Sequence, residues 1–112
     1  MTKYAFFFSY TSDTWARMIN TSGDRTASVR QLLDSLGGSL ESIYWMFGTH
    51  DGITIADLPG SVSAAALSVA VTSTGAFKQF QTHELLTEEQ LGQTLQMAQN
   101  AAAVYQRPGQ QP

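Results

Sequence analysis

The sequence predicts a single α+β domain built on one antiparallel sheet, and three observations carry that reading. Four stretches rich in aromatic and β-branched residues are separated by clusters of glycine, proline and small polar residues. The gaps between the first and second stretches, and between the third and fourth, have helical character, whereas a short glycine-flanked loop joins the second to the third. Finally, 112 residues with 43% hydrophobic content suit one core rather than two.

The first strand is KYAFFFSY, residues 3–10, closed by Thr11, Ser12 and Asp13, a polar cluster suited to capping a helix. Helix follows from Thr14 to about Ile19. A break at 20–23 then precedes DRTASVRQLLDSLGG, in which Ala27, Leu32, Leu33 and Leu36 fall on one face and Gly37 and Gly38 supply the left-handed stop. The second strand is Ser39 to Phe47 and the third Ile53 to Leu58. Between them, GTHDG is read as a hairpin loop whose Asp51-Gly52 pair makes the turn. Pro59 and Gly60 end the pair of strands, and SVSAAALSVAVTSTG is a helix small enough on every side to lie close against a sheet. The fourth strand is Ala76 to His83. Thr87 with Gln90 forms a capping box for a last helix, in which Leu91, Leu95, Ala98, Ala102 and Tyr105 repeat at four-three spacing. Residues 1–107 make up the domain, and PGQQP at 108–112 is expected to be a disordered tail.

The order is thus β-α-β-β-α-β plus a terminal helix, and its simplest right-handed arrangement sets the strands in the order four, one, three, two. Both long crossover helices then cover one face. A sheet wetted on the other face should alternate apolar and polar residues, yet here both sets are apolar. Tyr4, Phe6, Phe8 and Tyr10 oppose Ala5 and Phe7, while Leu40, Tyr44 and Met46 oppose Ile43, Trp45 and Phe47. The second face therefore needs cover, either from the last helix or from a partner's sheet, and a sheet-to-sheet homodimer or higher oligomer is the expectation. Charged residues amount to only 13%, little for a monomer's surface, which points the same way.

The net charge is −3, and Lys3, Arg17, Arg25, Arg30, Lys78 and Arg107 are scattered, so no basic footprint for nucleic acid or an anionic membrane is expected. There is no cysteine to form disulfides or supply a thiolate. The opening MTKYAFFFSY is too short for a secretory core, so the chain is expected in the cytoplasm, and the Asn20-Thr21-Ser22 sequon is read as accidental.

Several pieces, in order, resemble the GYD domain family of small bacterial proteins: SYT at 9–11, Arg25 ahead of the LGG at 36–38, YWMFG followed by Asp51, ADLPG at 56–60, AAALSVAV at 64–71, GAF at 75–77 and LLTEE at 85–89. The position of the family's name tyrosine, just ahead of the aspartate, is His50 here. The resemblance implies a ferredoxin-like fold related to the dimeric α/β barrels. It implies no reaction.

No phosphate loop, dinucleotide fingerprint, nucleophile elbow or zinc signature occurs, so neither cofactor nor metal is expected and no catalytic residue is assigned. His50 and Asp51 are neighbours in a turn, where side chains project apart, so the turn reading outweighs an acid-base pair. His83 is the other histidine. The first strand lies between the two, and two strand spacings of roughly 9.5 Å leave a shared metal dependent on loop geometry. Arg25 and Asp57 are read as solvated surface charges. Four residues are the ligand-binding candidates: Tyr10, Tyr44 and Trp45, each an apolar wall with one hydrogen-bonding handle, and His50. Tyr10 is expected at the opposite edge of the sheet from His50. Function is read as an oligomeric domain binding a small apolar molecule in an aromatic cavity between sheet and partner. The alternatives are a cofactor-independent enzyme, monooxygenase- or isomerase-like, on small apolar or phenolic substrates with His50 as acid or base, and a structural or partner-binding module.

Overall fold

In a computed structural model, which describes residues 1–110, the chain runs β1 (Thr2–Tyr10), α1 (Ser12–Asn20), α2 (Arg25–Ser35), β2 (Ser39–Trp45), β3 (Gly52–Leu58), α3 (Ser61–Thr72), β4 (Phe77–Leu85) and α4 (Glu88–Val104). All strand pairs are antiparallel and the sheet order is β2-β3-β1-β4, the expected ferredoxin-like topology. α1, α2 and α3 lie on one side of it.

Alternation along β1 sets the two sides. Tyr4, Phe6, Phe8 and Tyr10 are all buried towards the helices, and the central core joins Tyr4 and Phe6 to Leu33 of α2, Ala56 and Leu58 of β3, and Ala64 and Leu67 of α3. Of the α2 face read from the sequence, Leu33 is fully buried and Leu32 and Leu36 partly so. Ala27 is exposed, because it sits in the first turn, where its N–H donates to the capping carboxylate of Asp24 at 2.9 Å. Gly37, at φ +76°, closes α2 as expected, since a side chain there would meet a left-handed backbone.

Two expectations about β2 and its loop change in the structure. A bulge between Leu40 and Ser42 adds one residue to β2, and one residue is enough to exchange faces. Leu40 therefore packs with Ile43 and Trp45 towards the helices, leaving Tyr44 on the other side, while Phe47 lies beyond the strand and is fully exposed. The turn between β2 and β3 is not made at Asp51-Gly52. Among the described residues only glycines have positive φ, and in this connection it is Gly48, at +126°; Met46 N–H then closes the loop onto the Asp51 carbonyl at 2.8 Å. Gly52 is instead a strand residue between Phe8 and Trp45, and a Cβ on it would come within 2.2 Å of the Phe8 ring.

Of the two covers offered for the second face, the chain's own last helix, α4, does not supply one. Thr87 and Gln90 form the predicted capping box, but the helix does not fold back over the sheet. Every residue from 86 to 104 is exposed, Leu95 by 60%, and the projecting helix stretches the molecule to 62 Å in its longest dimension against 31 and 23 Å in the others. Residues 107–110 make a turn with Gln110 N–H on the Arg107 carbonyl, and 111–112, the end of the tail expected to be disordered, lie outside the described residues. Among the described residues no helix is long and apolar enough to cross a membrane.

Candidate functional site

The helices do not seal the face they cover. Between the sheet and α1, α2 and α3 lies a cavity of about 890 Å³, within the range of small-molecule sites. Its floor is aromatic, with Phe6, Phe8 and Tyr10 from β1 and Phe77 and Phe80 from β4, and its roof is Val29, Leu32 and Leu33 from α2 with Leu67 and Val71 from α3. Thr54, buried in β3, is the one polar side chain of the sheet on that floor apart from the tyrosine hydroxyl and the indole N–H.

One end of the cavity is an aromatic wall centred on Tyr10. Its ring stacks on Phe77 at 5.3 Å and meets Trp15 and Phe8 edge-on at 5.0 and 5.4 Å. Trp45, from β2, donates its indole N–H to the Tyr10 hydroxyl at 3.2 Å, and the absence of a side chain on Gly52, the strand neighbour of both Phe8 and Trp45, is what lets the Phe8 ring lie over that position. Sequence reasoning singled out both Tyr10 and Trp45, and the structure brings them together.

Asp51 holds this wall in place, a role the sequence reading did not assign. Its N–H donates to the Phe8 carbonyl at 2.8 Å, and its carboxylate accepts from the Tyr10 N–H at 2.9 Å and the Trp15 indole at 3.2 Å. One side chain thus fastens the end of β1 and the outer face of α1 to the β2–β3 connection. The start of α1 is tied separately: Thr11 caps it, and the Thr11 N–H and Thr14 hydroxyl both donate to the Ala76 carbonyl, at 3.0 and 2.8 Å.

Tyr44 and His50 lie on the other side of the sheet. Tyr44 pairs with Ile53 and is 66% exposed. His50 stands 5.0 Å from the ring of Phe7, which alternation directs away from the helices, and its Nδ1 is buried with no hydrogen-bond partner. His50 and Tyr10 lie near the same end of the sheet, not at the opposite edges expected of them. β1 and β3 are antiparallel, so the end of β1 meets the residues just before β3, and the two side chains are separated by face instead. His83 approaches Phe7 from the β4 side at 5.6 Å, which leaves that ring between the two imidazoles. No group of three residues able to ligate a metal occurs among the described residues.

The uncovered face has an apolar centre of Ala5, Phe7, Ile53 and Ile55. At its far end Lys3 bonds Asp57 at 3.1 Å and also Glu41, and the Glu41 and Asp57 hydrogen bonds raise the lysine above its ordinary pKa. Asp57 is thus paired, though with Lys3 rather than left as a solvated charge. On the helix side, burial lifts the Tyr4 hydroxyl above its usual value, with the neighbouring charge of Glu84 adding to the effect.

Replacing Asp51 with alanine leaves the buried Tyr10 N–H without an acceptor and is expected to destabilise the chain by about 1–3 kcal/mol in urea unfolding. Trp15→Phe, which removes one hydrogen bond and trims the edge-on contact with Tyr10 at a partly exposed position, should cost about 1 kcal/mol or less. Equal effects of the two changes would contradict the role given to the carboxylate.

The sequence profile of the GYD domain matches residues 4–95, from the start of β1 well into α4. No curated protein matches the chain. The chain belongs to the GYD domain family.

Proposed function

From that membership and the geometry of its site, we propose that this GYD domain binds a small, largely apolar molecule in the space between its sheet and helices α1–α3, and that it works as an oligomer. The observation that carries the first part is the cavity of about 890 Å³, with bulky side chains of three strands and three helices around it and its polar groups gathered mainly near the α1–α2 connection. Interiors are normally packed with few voids larger than a water. A space of this size in a 112-residue domain sacrifices packing, which a bound molecule would restore. Tyr10, whose hydroxyl accepts from Trp45, offers the ligand one buried hydroxyl in an aromatic wall, and Thr54 a second.

This location differs from the sheet-to-partner cavity expected from sequence. Tyr44 and His50 then belong to the association surface rather than the ligand site. That surface has an apolar centre ringed by polar groups, Lys3, Asp57 and Glu41 at one end and Gln79, Gln81 and His83 along β4, the arrangement typical of protein interfaces. The α4 stripe gives a second uncovered apolar surface.

Among the described residues, no aspartate, glutamate or histidine lines the cavity. Acid-base chemistry by His50 would have to take place on the opposite face, which favours binding over catalysis.

The neutral dye Nile red is expected to bind saturably, one per chain. Val71→Trp, which puts an indole into the cavity, should weaken binding at least about tenfold while the thermal midpoint holds or rises, as filling a void stabilises. Non-saturable binding, or binding indifferent to the filled cavity, would overturn the reading. For association, sedimentation at micromolar concentration should give a dimer or larger species that Tyr44→Asp shifts towards monomer; a monomeric parent chain would refute it.

A further inference from the structure

The wall of the cavity changes character from its depth to its mouth. Deep inside are Phe6, Leu33 and Leu67, all buried; at the mouth are Arg17, Asn20, Ser22 and Arg25, all exposed, from the end of α1, the connection to α2 and the first residue of α2. Among the described residues, the only charged residues of the lining are these two arginines, in a chain with nine acidic residues against six basic ones. The two arginines are not equivalent. Arg17 is held by Asp13, one turn back on α1, at 2.8 Å, whereas Arg25 makes no ion pair or side-chain hydrogen bond among the described residues. Its neighbour Asp24 is engaged with the Ala27 N–H.

We infer that the cavity takes an amphipathic monocarboxylate, with an aliphatic or aromatic body lying over the phenylalanine floor and a single carboxylate at the mouth on Arg25. The inference rests on the cavity being the ligand site. A guanidinium presents a planar fork that pairs with a carboxylate through two parallel hydrogen bonds. One uncommitted positive charge balances a monoanion, whereas a phosphate monoester carries close to two negative charges. The apolar depth excludes a ligand charged at both ends, since the inner charge would be buried without a partner.

The test compares decanoate, 1-decanol, decylamine and decyl phosphate by titration calorimetry below their aggregation limits, on the native chain and on Arg25→Gln. Decanoate should bind about tenfold more tightly than decanol, the ratio supplied by one charge-assisted hydrogen bond, and at least as tightly as decyl phosphate. Arg25→Gln should erase that advantage while leaving decanol unchanged. Equal binding of decanoate and decanol, tighter binding of the amine or the phosphate, or a decanoate advantage that survives Arg25→Gln would each overturn the carboxylate assignment and leave the cavity reading intact. If no decyl compound binds and Nile red does not bind either, the cavity reading falls with it.

Discussion

The carboxylate of Asp51 is the point on which the helix side of this molecule depends. It accepts from the backbone of β1 at Tyr10 and from the indole of Trp15 on α1, while the backbone N–H of Asp51 donates to the Phe8 carbonyl and its carbonyl accepts from Met46. α1 has no buried residue of its own, so packing alone does little to fix it. Its position comes from Asp51 at one point and from Ala76, which accepts from Thr11 and Thr14, at another. A helix fixed by hydrogen bonds near its N-terminal half and barely packed along its length is held above the sheet rather than pressed onto it. The cavity lies beneath it.

The same alternation that supplies the cavity floor also supplies the opposite face. Each aromatic residue of β1 turned inward leaves its neighbour turned outward, and since β1 is a central strand, both sets are central to their faces. The chain's own helices cover one set. On the other face Ala5 is buried by its own neighbours, but Phe7, Ile53 and Ile55 are left only half-buried, and α4, one of the two covers the sequence offered, points away. The proposed assembly and the proposed ligand site are thus two consequences of one strand with bulky residues on both sides, and they are physically separate.

Much of this was legible in the sequence because it rests on local rules. The strand order followed from the element order and handedness, the cap at Thr87 from its spacing to Gln90, and the stop at Gly37 from its need for a left-handed backbone. Tyr10 and Trp45 stood out as amphipathic aromatics, and their meeting follows from the register Phe8, Gly52, Trp45 across three strands. What could not be read was non-local. The bulge at residues 40–42 has no strong residue signature yet exchanges the faces of β2, which is why Leu40 was placed with Tyr44. Asp51-Gly52 looks like a turn because that dipeptide usually is one; its actual use depends on a Trp 36 residues earlier and a Phe ring that needs the glycine's empty space. For α4, a helical repeat says which face is apolar without saying what that face meets.

The central claim is that the ligand lies under the helices and not against the open face. Methyl-labelled protein followed by two-dimensional NMR during titration with an apolar ligand separates these places directly, because the two faces carry different methyl groups. The account predicts shifts and ligand contacts at Leu33, Leu67 and Val71, with Ile53 and Ile55 unmoved. Contacts at Ile53 and Ile55 with the helix-side methyls unchanged would contradict it.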